Sequence, residues 1–142
     1  MISTKTIEPR FAETDQMGII HHSVYPIWYE LGRIKFCQDM GMPYTEIMKH
    51  DINMALIHLA VDYIKPVRLN DLITIETKLV EMSKVKMVFS YDLYTEDKVH
   101  VNHGQTKLAW LDLNLKPVNI QKKFPHIYEH FIKSVNQIDS KK

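Results

Sequence analysis

Two neighbouring stretches, residues 72–80 and 85–94, alternate apolar and polar side chains with a period of two, and they constrain the fold more than anything else in the chain. In the first, Ile73, Ile75, Thr77 and Leu79 share one face, while Thr74, Glu76 and Lys78 share the other. In the second, Val85, Met87, Phe89, Tyr91 and Leu93 face together. That period belongs to strands buried on one side. The link at 81–84 is too short for a crossover, so the two strands must pair antiparallel. A second short link at 95–98 leads into a long strand over 99–113, with Gly104 read as a bulge. Upstream, residues 54–65 read as a strand closed by Pro66. Residues 4–14 read as a first strand interrupted by Pro9, which an edge or a bulge tolerates.

Between the first and second strands the period changes. Ser23 is a plausible N-cap for a helix running to about Met40, with Pro26 in its first turn, where a missing N–H costs least. Val24, Ile27, Trp28, Leu31 and Ile34 follow the spacing of one buried helical face. Tyr25, Tyr29, Phe36 and Met40 are apolar on other faces, so the helix is expected to be covered on more than one side. Gly32 costs roughly 1 kcal/mol in a helix interior, which a close approach to a sheet would explain. Gly41 and Pro43 stop the helix. Residues 43–50 read as a short helix or turn, and 124–135 as a terminal helix followed by a frayed Lys141-Lys142 end. One long, mostly apolar helix beside an antiparallel sheet is an α+β domain, and the sheet must curl around the helix to cover it.

The totals narrow the functional classes. A chain of 142 residues fits one domain, taken here as 1–142. A formal net charge of +1 is too balanced for a nucleic-acid partner held by bulk electrostatics. The single cysteine, Cys37, excludes an internal disulfide and suits a reducing compartment. The first residues lack a signal-peptide core, and no apolar run is long enough to span a bilayer. A cytoplasmic location is therefore expected.

The stretch from Arg10 to Tyr25 carries the chemistry. Asp15-Gln16-Met17-Gly18 is a turn-like break between strand and helix, a place where functional side chains are often presented. A carboxylate there, ionised at neutral pH, can attack a carbonyl or deprotonate a water that does. A helix start near His22 and Ser23 offers unpaired N–H groups and a positive dipole end that suit a developing oxyanion. Gly18 supplies a conformation or a clearance that a side chain would block. Adjacent His21 and His22 point apart, and no further ligands are spaced to close a site around them, so no metal is expected. His100 and His103 read as surface or subunit-contact residues of a strand. Glu30 and Arg33 pair on the helix, and Cys37, without an activating neighbour, reads as a buried thiol.

The Asp15, Gly18, Ile19-Ile20, His22, Tyr25 spacing resembles the signature of the 4-hydroxybenzoyl-CoA thioesterase-like family, in particular its YbgC-type acyl-CoA thioesterase branch. The segment from Tyr63 through Pro66 and Arg68 to Asp71 resembles the family's strand exit, and Trp28-Tyr29-Glu30 followed by Arg33 is a weaker third block. The resemblance implies a hotdog fold, a curled antiparallel sheet wrapped around one long central helix. It also implies hydrolysis of an acyl-CoA by Asp15, as nucleophile or general base, with the His22 backbone amide as oxyanion donor. Tyr25, Trp28 and Tyr63 are then candidates for the acyl pocket. Arg68, Lys84 and Lys86, with Lys65, are candidates for the coenzyme A phosphates. No cofactor is expected beyond the coenzyme A of the substrate. A homodimer or homotetramer is expected, both from the family and because an open sheet edge invites pairing. A non-catalytic acyl-CoA binding module and a hotdog hydratase or dehydratase are the competing readings.

Overall fold

The computed structural model describes residues 1–135, and the Lys141-Lys142 end lies outside them. Five strands, β1 (Ile2–Ile7), β2 (Asn53–Tyr63), β3 (Ile73–Met82), β4 (Lys86–Thr95) and β5 (His100–Leu111), form one curled sheet in the order β1-β3-β4-β5-β2. All neighbours are antiparallel. The helices are α1 (Tyr25–Asp39), α2 (Tyr44–Ile47), α3 (Ile120–Lys123) and α4 (Pro125–Lys133). This is the α+β hotdog arrangement expected from the sequence. The alternation holds for Ile73, Ile75, Thr77 and Leu79 of β3 and for Met87, Phe89, Tyr91 and Leu93 of β4, all buried, whereas Val85 lies ahead of β4 and is only partly covered, and Val88 is buried as well.

Helix α1 lies along β1, β3 and β4, and of the face expected only Val24 and Trp28 are buried. Its buried residues are Tyr25, Trp28, Tyr29, Gly32, Arg33, Phe36 and Cys37, whereas Ile27 is 55% exposed and Leu31 and Ile34 are only partly covered. Apolar side chains surround this helix, so hydropathy alone gives an ambiguous stripe. Close packing decides it. Gly32 sits against β3, where an added Cβ would meet Thr77 Oγ1 at 2.5 Å and Ile75 Cδ1 at 3.0 Å. Ser23 is not the N-cap. Val24 holds that position in helical geometry, and the Ser23 hydroxyl pairs with His21 instead.

Gly104 is not a bulge either. It pairs in regular register with Val61 and Tyr91, and a Cβ there would enter the Tyr29 ring. Tyr29 is fully buried, stacks on Tyr91 at 4.5 Å with 2° between the planes, and donates its hydroxyl to Asn102. The irregularity of β5 falls at Val101, between the pairs Leu93↔Asn102 and Tyr94↔His100. Strand β1 ends at Ile7, earlier than expected, because Pro9 and a single 3₁₀ turn at Phe11–Glu13 follow. The terminal helix expected over 124–135 is α4, opened by Pro125, and the short α3, which the sequence reading did not name, precedes it. Cys37 is fully buried and burial pushes its thiol up to about 12, so it is not a nucleophile.

Candidate active site

The segment between β1 and α1 is a tight, internally bonded turn. Thr14 bridges Ile20, and inside that bridge the Asp15 N–H donates to the Ile19 carbonyl (2.8 Å) and the Gly18 N–H to the Asp15 carbonyl (3.1 Å). Gly18 has φ +76°, a region L side chains rarely adopt. The turn aims two N–H groups at one carboxylate oxygen. Asp15 Oδ1 accepts from Met17 N at 2.8 Å and from Ile19 N at 3.3 Å. Asp15 Oδ2 has no partner among the described residues, and the side chain is half-buried. The hydrogen bonds of the turn therefore occupy one oxygen of the carboxylate and leave the other.

Glu13, which sequence reasoning missed, fixes this turn to the helix. It is 7% exposed. Its Oε1 accepts the Arg10 N–H (2.7 Å), and its Oε2 accepts the Trp28 indole N–H (3.1 Å). The Arg10 guanidinium lies 3.4 Å from Oε2, and the Glu13 carbonyl accepts the His21 N–H at 2.8 Å. The only sequence signal was the spacing Arg10-x-x-Glu13, a capping box around the 3₁₀ turn. Glu13→Ala strands a buried indole N–H and a backbone N–H, so we expect a loss of about 2 kcal/mol in urea unfolding. Glu13→Gln keeps one acceptor and should lose about half as much.

After the turn, the backbone amides are largely used. Ser23 N donates to His21 Nδ1 (3.1 Å) and Val24 N to the His21 carbonyl (3.0 Å). The His22 N–H has no acceptor among the described residues, while the His22 carbonyl is held by the Tyr63 hydroxyl at 2.8 Å. Of the amides of His22 and Ser23, that of His22 is the one without an acceptor among the described residues. The His22 imidazole is exposed and lies against the His21 ring at 4.0 Å.

Asp15 and His22 line one cleft of about 420 Å³ together with Met17, Ile19, Tyr25, Tyr63, Ile64 and Lys65. Both also line an open depression on the other side of the turn, with Phe11, Thr14 and Gly18. Tyr25 meets Tyr63 and Trp28 edge-on, each at 5.4 Å. Burial, with Tyr63 adding to it, pushes the Tyr25 hydroxyl up to about 12, so it stays a neutral proton donor. Trp28 is 1% exposed and lies behind the cleft. Arg68 is exposed beside the turn, where its backbone bridges Ile19 and its N–H bonds Asp71 at 2.8 Å. Lys84 and Lys86 lie at the β3–β4 hairpin, and Lys86 lines a separate cleft with Ile57, Glu81 and Val135. The structure therefore brings Asp15, Gly18, His22, Tyr25, Tyr63 and Lys65 together, and leaves Lys84 and Lys86 apart from them in this chain.

Residues 9–131 match the thioesterase-like superfamily. YneP of Bacillus subtilis, named as a candidate acyl-CoA thioesterase, is 29% identical over 125 residues, covering 87% of this chain and 91% of that one. The acyl-CoA thioester hydrolase YbgC of Escherichia coli O6:H1 is 23% identical over 108 residues, covering 75% and 81%. A DHNA-CoA thioesterase from Staphylococcus aureus superposes with a TM-score of 0.90 at 27% identity, covering 96% of this chain and 98% of that one.

Proposed function

Because the chain belongs to the thioesterase-like superfamily, we propose that it hydrolyses acyl-CoA thioesters to a carboxylic acid and free coenzyme A at the cleft between Asp15 and His22. One observation carries this reading: Asp15, with a carboxylate oxygen that has no partner among the described residues, and His22, whose N–H has none either, line the same small cleft. In the reaction the carbonyl carbon gains an oxygen, the C–S bond breaks and sulfur leaves as the thiol. Two routes lead there from Asp15: attack by Oδ2, giving a mixed anhydride that water then opens, or deprotonation of the attacking water. Both build negative charge on the thioester oxygen, and the His22 N–H is the donor that would meet it. Tyr63 would keep that amide in place by holding the other side of the same peptide segment. The Gly18 turn would hold Asp15 by its Oδ1, leaving Oδ2 for chemistry.

The acyl group would lie against Met17, Ile19, Tyr25, Tyr63 and Ile64, with Trp28 behind them. Lys65, which lines the cleft, and Arg68, whose backbone bridges Ile19, would meet the coenzyme A phosphates, and Lys84 and Lys86 would serve only a nucleotide crossing to the hairpin or a neighbouring subunit. Strand β2 supports a dimer. It is an 11-residue edge with Leu56, Ile57 and Leu59 exposed, a poor surface to leave in water. Among the described residues no helix is long and apolar enough to cross a membrane, and the lone buried thiol suits the cytoplasm.

The test is thiol release across short, long and aromatic acyl-CoAs. Turnover of at least one is expected, and no release from any of them would overturn the assignment. His22→Ala keeps the backbone donor, so its rate on the same substrate should stay within about tenfold of the parent, against the ~10²–10³-fold typical of losing an oxyanion donor.

A further inference from the structure

We infer that Asp92, His100 and His103 form a binding site for a divalent transition-metal ion of the zinc type on the sheet face opposite α1. Asp92 Oδ1 lies 2.9 Å from His100 Nε2 and 2.8 Å from His103 Nδ1. One ligand atom from each residue lies within 4.8 Å of the others. Donors sharing an ion at about 2.1 Å stand at most about 4.2 Å apart, so small rotations close the set. Two imidazoles and a carboxylate are the donor set that zinc, cobalt, nickel and copper ions prefer. The three residues are only partly exposed, at 38%, 37% and 20% for the His100, His103 and Asp92 side chains, so they leave room for water as a further ligand.

The backbone is built to present them. Residues three apart on a regular strand point to opposite faces. The extra residue at Val101 breaks that alternation, so Val101 and Asn102 are both buried while His100 and His103 both face out. In register, Asp92 stands between Glu76 on β3 and His103 on β5, and His103 stands opposite Asp62 on β2. Three carboxylates in one cross-strand row favour a cation. When each imidazole carries its proton on the far nitrogen, the two near nitrogens and Oδ1 offer three converging lone pairs. The other histidine pairs do not offer this. His21 Nδ1 is engaged by Ser23 and His130 Nδ1 by the His126 carbonyl, and neither pair joins a cluster of three potential ligands among the described residues.

The site is independent of the hydrolytic reading. The test uses the full chain, stripped with a chelator and titrated with Zn²⁺ alone by calorimetry. One ion per chain is expected, weakened tenfold or more in His100→Ala, His103→Ala and Asp92→Asn, and unchanged in His126→Ala. Absence of binding, or an affinity unchanged from the parent protein in both the His100 and His103 variants, would overturn the proposal. Co²⁺ added to the parent protein gives a readout free of any folding defect in the variants. Visible d–d bands that Zn²⁺ displaces are expected, and their absence counts against the site.

Discussion

Asp15→Asn is expected to lower kcat on the best acyl-CoA substrate by about 10³-fold or more, the scale of removing a group that acts in the bond-breaking step. Asparagine is the informative replacement because it separates chemistry from structure. Its amide oxygen can still accept the Met17 and Ile19 N–H groups that Oδ1 holds at 2.8 and 3.3 Å, so the turn survives. The stability change should stay within about 0.5 kcal/mol. Asp15→Ala removes the acceptor of both N–H groups and would confuse a lost turn with a lost reacting group. Turnover and urea unfolding on the same preparation decide the matter. An Asn variant that keeps its rate within tenfold would show that the unpartnered oxygen is not the reacting one.

Gly104→Ala is expected to be the most damaging small substitution in the molecule, costing about 3 kcal/mol or preventing folding. The added methyl enters the Tyr29 ring. A flexible side chain would move aside. Tyr29 cannot, because it is fully buried, stacked flat on Tyr91, and tied at its hydroxyl to Asn102. Nor can the backbone retreat, since Gly104 is paired to strands on both sides. Urea unfolding measures the loss. The physical cause is tested by Tyr29→Leu, which shortens the side chain: in that background Gly104→Ala should cost clearly less, and additive costs would place the damage elsewhere.

Much of the site could be read in advance and much could not. Asp15, Gly18 and His22 stand close together in the chain, and a turn aspartate followed by a glycine three residues on constrains the backbone locally. Tyr63 is forty-one residues from the His22 carbonyl it holds, and nothing in its own neighbourhood announces that bond. Glu13 fell in the stretch read as the first strand, and nothing beside it in the chain announced the bond from Trp28. His100 and His103 were read as surface or subunit-contact residues of a strand and Asp92 was not singled out, because ordinary alternation sends His100 and His103 to opposite faces.

By itself, the chain determined the hairpin and its faces. A period of two in 72–80 and 85–94 leaves one burial pattern, and a short link leaves one pairing direction. It also determined that Asp15 would stand in a turn ahead of a helix. Only the tertiary structure decided which side of that helix is buried. Val24, Ile27, Trp28, Leu31 and Ile34 satisfy hydropathy, but of these only Val24 and Trp28 are buried, and the face that fits is the one where Gly32 lets β3 approach and Arg33 reaches the Tyr91 hydroxyl at 3.1 Å. It likewise decided that Gly104 makes room for a ring rather than bending a strand, and that the bend lies at Val101. Hydropathy records which side chains leave water, whereas close packing and long-range hydrogen bonds depend on what they meet when they do.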